Sequence, residues 1–214
     1  MLPLHRALLP VVAGVVLLTA PSAGAVSIEA LTVPFTGDDI TVNVVLTQQG
    51  GDIRVDLSVE EGIGDLRGIF FHIADDSLLD GLSAEGDVVT AFAILGVTNV
   101  GQGNNLNGGG SPCPCDIGVS LGTPGIGKDD LQAASFVLSH ETMDLTLALF
   151  SEQWVGVRVT SVGEDSNGKK GGGREGSAKL SGQFTPVPEP ATALMLALGL
   201  VGIARTGRRR RRVA

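Results

Sequence analysis

Residues 40 to 60 read ITVNVVLTQQGGDIRVDLSVE, and this stretch decides the fold. Apolar side chains occupy every second position in its two halves: Ile40, Val42, Val44 and Leu46, then Ile53, Val55, Leu57 and Val59. Alternation with a period of two places apolar side chains on one face of a β-strand and polar side chains on the other. Gln49-Gly50-Gly51 separates the halves, and glycine is typical of tight turns between antiparallel strands. The stretch therefore predicts a β-hairpin with one buried face.

Further short segments of the same type predict more strands. They lie at 26–33, 66–74, 88–95, 116–121, 131–139, 154–162 and 177–185. Short strands with glycine-rich turns and no sustained helical period predict an all-β domain, an antiparallel β-sandwich of jelly-roll-like form. The one helical candidate is 143–153. The glycine-rich segments 101–114 and 163–176 are expected to be mobile.

Charge is distributed unevenly along the chain. Between positions 26 and 187 there are 22 acidic and eight basic residues, a net charge of −14, whereas the whole chain carries −8. So acidic a segment would be repelled by nucleic acid, which argues against nucleic-acid binding and favours solubility or the binding of divalent cations. Its length of about 160 residues suits a single domain with a substantial core.

The N-terminal segment 1–25 predicts a secretory signal peptide. Basic residues precede an apolar stretch at 7–20, and Ala23 and Ala25 form a small-residue cleavage site. We expect the Sec machinery to export the chain and signal peptidase to cut after Ala25. Export would place the cysteines of the chain in an oxidising compartment.

The C-terminal segment 187–214 has three parts. It begins with the motif Val187, Pro188, Glu189 and Pro190, continues through the uncharged span 191–204, and ends in the arginine-rich segment 205–212, with Arg205, Arg208, Arg209, Arg210, Arg211 and Arg212. A helix over 191–204 would extend about 21 Å, which is short of the roughly 30 Å hydrocarbon core and suits a transient transmembrane helix. The arginines are expected to stop transfer and to stay cytoplasmic, which leaves the residues before Pro188 on the far side of the membrane. An ordinary tail anchor that is never cut is the alternative.

This tail closely resembles the PEP-CTERM sorting signal, which a membrane-embedded exosortase recognises and removes in Gram-negative bacteria that make an exopolysaccharide. The resemblance implies a precursor in the inner membrane and a product at the cell surface or in the extracellular biofilm matrix. Residues 66–184 are also similar to a group of exported bacterial proteins without established activity. The stretches that carry this second similarity are 67–74, 116–119, 125–130 and 156–163. It supports one exported domain, 26–186, and implies no mechanism.

Two short patterns match catalytic motifs but lack the context that catalysis needs. Residues 118–122 fit the G-x-S-x-G nucleophile pattern, which requires a strand, a sharp turn and a helix. Strand-like alternation continues through the match, so Ser120 is expected to be an outward residue in mid-strand whose replacement by alanine is nearly silent. Residues 122–128 fit the start of a phosphate loop, but Asp129 stands where a magnesium-binding Ser or Thr is required. No catalytic residue is assigned, and the protein is predicted not to be an enzyme.

Pairs of cysteines and aspartates supply the remaining candidate sites. Cys113 and Cys115 flank Pro114 and are predicted to form a local disulfide, with a link to another chain or a redox or metal role as the alternatives. Paired carboxylates at predicted strand ends have the oxygen chemistry that calcium requires: Asp75, Asp76, Asp129 and Asp130, together with Asp38 and Asp39. Aspartate is also an ordinary turn residue. We therefore predict no cofactor and keep calcium as the one ligand hypothesis.

Together these features predict a non-enzymatic exported protein of the cell surface or the extracellular matrix. The expected partners are the exosortase and the export machinery, with the exopolysaccharide as a further candidate. The alternative is a carbohydrate- or calcium-binding β-sandwich module. The chain has no tyrosine, and Trp154 is its one tryptophan, so a broad aromatic surface for stacking sugars is not expected.

Overall fold

The computed structural model describes residues 27–125, 127–163 and 174–187, which form a domain of β-strands. The strands are β1 (Ser27–Gly37), β2 (Thr41–Gln49), β3 (Asp52–Glu61), β4 (Asp65–Phe71), β5 (Leu82–Glu85), β6 (Val89–Val97), β7 (Cys115–Leu121), β8 (Ala133–His140), β9 (Trp154–Val162), β10 (Gly176–Gln183) and β11 (Thr185–Pro186). Two 3-10 turns, Asp76–Leu78 and Leu147–Leu149, lie in the connections, and the described residues contain no α-helix. Every predicted strand is present, and the structure adds β5 and β11, which the sequence pattern does not predict as separate strands.

Ten strands follow one another in a single antiparallel sheet, in the order β5-β8-β3-β2-β1-β10-β9-β4-β7-β6. β1 joins the two halves of this sheet, because residues 27–32 pair with β2 and residues 33–37 pair with β10. The short β11 lies off the path and pairs with β1. The prediction of an all-β, antiparallel domain is confirmed. The jelly-roll-like sandwich was the finer expectation, and the observed arrangement is one nearly closed, barrel-like sheet.

The hairpin predicted at 40–60 is present as β2 and β3. Gln49 pairs with Asp52 across a two-residue turn. Gly50 in this turn has a φ of +65°, which glycine adopts without steric cost. The alternating apolar residues are buried except for Val59, which is half-buried near the end of β3, whereas the residues between them are half-buried or exposed. Burial therefore follows the alternation that the sequence predicts.

The main core fills the interior of the curved sheet. Its largest buried side chains include the phenylalanines Phe71, Phe136, Phe150 and Phe184. The rings of Phe71 and Phe150 meet edge to face, with their centroids 5.8 Å apart. Phe150 directly follows the 3-10 turn Leu147–Leu149, which is the only helical turn in the candidate segment 143–153. Burial of each such ring stabilises the fold by about 1.5–3 kcal/mol.

The connection between β6 and β7, residues 98–114, packs on the outside of the sheet and is called the cover segment below. A second apolar cluster forms beneath it, from Phe70, Val97, Val100, Leu106 and Cys115. The amide of Val100 donates to the carbonyl oxygen of Asn104 at 2.9 Å, and the amide of Leu106 donates to that of Thr98 at 3.0 Å. The sequence predicts that residues 101–114 are mobile. In the structure they form a packed layer instead, in which Leu106 is completely buried. Most of the other segment expected to be mobile, 163–176, lies outside the described residues.

Candidate functional site

The C-terminal motif begins where the described fold ends. β11 pairs with the first residues of β1, and the amide of Val187 donates to the carbonyl oxygen of Ser27 at 3.3 Å. The first and last described residues of the domain therefore lie side by side. The other predicted motif residues, Pro188, Glu189 and Pro190, lie outside the described residues.

The remaining terminal sites also lie outside the described residues. They are Ala23 and Ala25 of the predicted cleavage site, the span 191–204, and the arginines of 205–212. Within the part of the chain that the structure describes, no helix is long and apolar enough to cross a membrane.

The two cysteines lie where the cover segment enters β7. Cys113 and Cys115 are joined by a disulfide, with their Cα atoms 4.3 Å apart. The peptide bond between Cys113 and Pro114 is cis. Cys115 is buried in the cluster beneath the cover segment, so the disulfide belongs to the packing of this layer.

His72 lies beside the disulfide, just after β4. Its Nδ1 is 3.0 Å from Oδ2 of Asp116, and its Nε2 is 3.1 Å from the carbonyl oxygen of Pro112. Asp116 also accepts a hydrogen bond from the amide of Ile73. Both ring nitrogens are therefore engaged in tying β4 to the cover segment and β7.

Asp75 and Asp76 belong to a 3-10 turn. Oδ1 of Asp75 accepts hydrogen bonds from the hydroxyl of Ser77 at 2.6 Å and from its amide at 3.0 Å. These hydrogen bonds lower the pKa of Asp75. Asp76 is exposed in the first position of the turn. The pair thus has the geometry of an ordinary aspartate cap.

Asp129 and Asp130 lie against two buried arginines. Oδ2 of Asp129 accepts from the amide of Thr123 at 2.6 Å, and its Oδ1 lies 3.8 Å from Nη1 of Arg67. Asp130 forms a bidentate ion pair with Arg174, with N–O distances of 2.6 and 2.8 Å. A guanidinium group in contact with a carboxylate competes with a cation for its oxygens and repels the cation.

Asp65 lies next to this cluster, at the start of β4, and is completely buried. Burial raises the pKa of Asp65 to about 6, although the hydrogen bond from the amide of Leu131 and the charge of Arg67 lower it. Oδ2 of Asp65, Nη1 of Arg67 and Oδ1 of Asp129 are buried without a hydrogen-bond partner. Nη2 of Arg67 donates to the carbonyl oxygen of Gly122 at 3.2 Å. Asp65 and Arg67 were not singled out from the sequence, although two charges inside the otherwise apolar stretch DLRGIFF are a signal of buried pairing.

The described residues contain no group of three or more His, Cys, Asp or Glu side chains that could hold a metal ion. The predicted calcium ligands are engaged separately, Asp75 with Ser77 and Asp130 with Arg174. Asp38 accepts a hydrogen bond from the amide of Ser177 at 2.7 Å. The structure does not bring these carboxylates together.

Ser120 lies within β7, as the alternation predicts, but it is the sixth of the seven residues of this strand and the cover segment lies over it. The residue is only 1% exposed. Its Oγ accepts hydrogen bonds from Nδ2 of Asn104 at 2.6 Å and from Oγ1 of Thr90 at 3.2 Å. His140 lies at the end of β8, where its Nε2 is 3.0 Å from the carbonyl oxygen of Asp80. No sequence signal distinguishes Asn104 from the other asparagines of the cover segment.

Trp154 begins β9 and is 49% exposed. Among the large apolar residues that are exposed in the described structure, it is the one aromatic residue. A flat surface of several aromatic rings for sugar stacking is therefore absent from the described residues.

Two basic residues that the sequence did not single out lie together on the outside of the sheet. Lys179 of β10 is directly opposite Arg158 of β9. With part of the cover segment, they line a polar cleft of about 370 Å³.

Comparison with known protein families matches residues 186–212 to the PEP-CTERM protein-sorting motif. No curated protein and no solved structure matches the chain. The match begins at Pro186, the last residue of β11, and the motif implies an exported, cell-surface-associated protein. The chain thus carries a C-terminal PEP-CTERM motif, which marks it as an exosortase substrate.

Proposed function

We propose that the protein is a non-enzymatic component of the cell surface or of the extracellular polysaccharide matrix, delivered there by an exosortase. The position of the sorting motif carries this proposal. The amide of Val187 donates to the carbonyl oxygen of Ser27, the first residue of β1, and the rest of the motif follows at once. All eleven strands of the described residues precede Pro188, so cleavage within 187–190 would leave each of them in the released domain.

The surroundings of Ser120 support the absence of catalysis. Its hydroxyl is buried, and its two side-chain partners are the amide of Asn104 and the hydroxyl of Thr90. Neither group can act as the base that activates a serine nucleophile. The G-x-S-x-G match is therefore best explained by strand alternation.

The proposal includes no cofactor. The arginine contact of Asp130 and the capping contacts of Asp75 support this, because both carboxylates already have partners in the folded chain. Calcium binding requires six to eight oxygen ligands around one ion.

The sorting motif can be tested in the native host by changing Pro188, Glu189 and Pro190 together to alanine. We expect a precursor that is retained in the inner membrane, because the exosortase no longer recognises the tail. Pro124→Ala is the matched control, since it removes a proline from an exposed turn and leaves the tail unchanged. Membrane fractionation and mass spectrometry of the C-terminus measure the outcome.

Two results would contradict the proposal at different points. If the triple variant reaches the surface with the wild-type C-terminus, the motif does not direct sorting. If the wild-type domain is processed but is found only in the culture medium, never with cells or polysaccharide, sorting stands and the surface or matrix role is wrong.

A further inference from the structure

Two basic side chains lie side by side on the outer face of β10 and β9. Lys179 is directly opposite Arg158, and on its other side it is opposite Thr36 of β1. Ala178 and Leu180, the neighbours of Lys179 along β10, are buried in the core, so Lys179 faces outward. Like charges directly opposite each other in an antiparallel pair are destabilising. The arrangement therefore costs the fold some stability unless another interaction offsets it.

The hydrogen bonds of Lys179 do not supply a negative charge. Its Nζ donates to Oδ1 of Asn105 at 3.0 Å and to the carbonyl oxygen of Asn107, both in the cover segment. These acceptors are neutral. Burial and the charge of Arg158 lower the pKa of Lys179, which agrees with the absence of a nearby carboxylate.

Arg158 is also surrounded by neutral groups. Its Nη1 donates to the carbonyl oxygens of Val159 at 3.2 Å and Ala178 at 3.0 Å. Its Nε is buried without a hydrogen-bond partner. In the part of the chain that the structure describes, neither Arg158 nor Lys179 forms an ion pair. Among the described residues, the two charges thus have no carboxylate partner, although the net charge of the segment is −14.

Both residues open onto the polar cleft between the sheet and the cover segment. The lining includes Thr36, Asn107, Gly109, Arg158, Ser177 and Lys179. A Cβ atom on Gly109 would have no atom within 4 Å, so the cleft is open on that side. Asp38 lies near its rim, where its carboxylate is held by the amide of Ser177. The volume of about 370 Å³ is at the small end of ligand sites, which is large enough for one sugar-sized group.

We propose that this cleft binds one oxyanion group, a carboxylate or a sulfate. A bound oxyanion would lie between the guanidinium group and the ammonium group and would remove their mutual repulsion through charge-assisted hydrogen bonds. Such groups occur on acidic polysaccharides and as free ions, and their chemistry at the site is the same. The inference concerns the ligand of the folded domain and does not depend on how the chain is sorted.

The direct test is calorimetric titration of the full chain, kept in a nonionic detergent that adds no charge. The probes are inorganic sulfate, galacturonate, trigalacturonate and the neutral sugar galactose. We expect the three anions to bind and galactose not to bind. Tighter binding of trigalacturonate than of galacturonate identifies an acidic polysaccharide as the source, and equal binding identifies the free anion.

Thr36→Glu is the sharpest variant, because it places a carboxylate opposite Lys179 on an exposed strand position. It should weaken sulfate binding at least about tenfold, since the new carboxylate would form an ion pair with Lys179 and compete with sulfate for its ammonium group. Thr36→Gln has nearly the same shape as Thr36→Glu without its charge and should bind sulfate at least about tenfold more tightly than Thr36→Glu does. Lys179→Gln should also lose about tenfold, whereas Lys128→Gln, the same charge change at an exposed residue outside the cleft, should not.

The Thr36 pair keeps the test decisive even if Lys179→Gln fails to fold, since Lys179 also holds the cover segment. The proposal is overturned if the wild type binds neither sulfate nor galacturonate in the millimolar range. It is also overturned if Thr36→Glu and Thr36→Gln bind sulfate equally well. Binding of galactose as tightly as galacturonate would show that the charge is not what the cleft recognises.

Discussion

The buried carboxyl of Asp65 makes the stability of the domain depend on pH. Burial raises its pKa in the fold from 3.8 to about 6. The folded state therefore favours the protonated carboxyl, and this stabilising contribution is fully present below about pH 4 and is lost as the pH rises through about 6. In the wild type, this contribution to the free energy of unfolding should fall by about 2 kcal/mol between pH 4 and pH 6, and Asp65→Asn should abolish that fall. Denaturant unfolding of both proteins across this pH range measures the difference.

Asp56→Asn is the control for this prediction. Asp56 is half-buried on the outer face of β3, where its solvent-accessible side chain pairs with Arg54 at 2.9 Å. The control should keep the pH profile of the wild type, because an exposed ion pair contributes little to stability. An unchanged pH profile in Asp65→Asn would mean that other groups cause the dependence.

Replacing Ser120 should destabilise the protein although the residue has no catalytic role in our proposal. Ser120→Ala removes the acceptor of the buried Asn104 amide, which donates to it at 2.6 Å. An unsatisfied buried donor costs about 1–3 kcal/mol, so the near-silent effect expected from the sequence is replaced by a measurable loss in denaturant unfolding. Adding Asn104→Ala should cost little more, since both changes remove the same bond. Covalent labelling of wild-type Ser120 by a fluorophosphonate probe would overturn the non-enzymatic assignment.

The cover segment can lie close to β9 because position 156 is glycine. A Cβ atom there would lie 2.3 Å from Cδ1 of Leu106 and 3.2 Å from the carbonyl oxygen of Leu180. Gly156→Ala should therefore destabilise the domain by about 1–3 kcal/mol through overpacking. Leu106→Ala alone should cost about 2–5 kcal/mol, because it leaves a cavity in the cluster beneath the segment.

The double variant is the decisive measurement for this packing. Removing the side chain of Leu106 also removes its clash with Ala at position 156, so Gly156→Ala and Leu106→Ala together should cost less than the sum of the single changes. Additive losses in urea unfolding would show that the two positions act independently.

Elements with regular alternation could be predicted from the sequence, and elements that depend on tertiary contacts could not. The β2–β3 hairpin carries its own pattern of burial along the chain. β5 has only four residues, too few for a period of two to be recognised. The pattern of the cover segment predicts a linker because glycine and asparagine dominate it. Leu106 is buried through tertiary contacts with the apolar cluster and with Gly156, which the local sequence does not show.

The candidate sites follow the same rule. The cysteine pair is local in sequence, and the structure joins it. The partner of Asp130 is Arg174, 44 residues away, and no spacing rule connects the two. Lys179 and Arg158 become neighbours only through the register of β10 and β9. Strand order in the barrel-like sheet escapes prediction for the same reason, since alternation fixes the buried face of a strand and not its neighbour.

Both ends of the domain meet on β1. This strand pairs with β2 through its first half and with β10 through its second half, so it connects the two parts of the sheet. β11 adds to its first residues. A cut at either end of the domain therefore lies close to the strand on which the closure of the sheet depends, and the position of each cut has consequences for stability.

The contacts of Phe184 predict how far upstream the exosortase can cut without destabilising the domain. Phe184 is completely buried, its amide donates to the carbonyl oxygen of Gln153 at 3.0 Å, and its own carbonyl oxygen accepts from the amide of Glu152 at 3.0 Å. A chain that ends at Val187 keeps these contacts and β11, so we expect it to melt at the temperature of the uncut domain. A chain that ends at Gln183 should lose at least about 3 kcal/mol, the usual cost of removing a buried phenylalanine.

Phe184→Ala in the chain that ends at Val187 separates the two contributions to this loss. It removes the ring and keeps β11, so it should account for most of the destabilisation, because β11 contributes only two exposed residues. If the chain that ends at Gln183 is as stable as the one that ends at Val187, the fold places no limit on cleavage upstream of the motif. If it is less stable, a cut after Pro186, the last residue of β11, is the earliest that leaves every described strand complete, and the motif Val187 to Pro190 begins at the next residue.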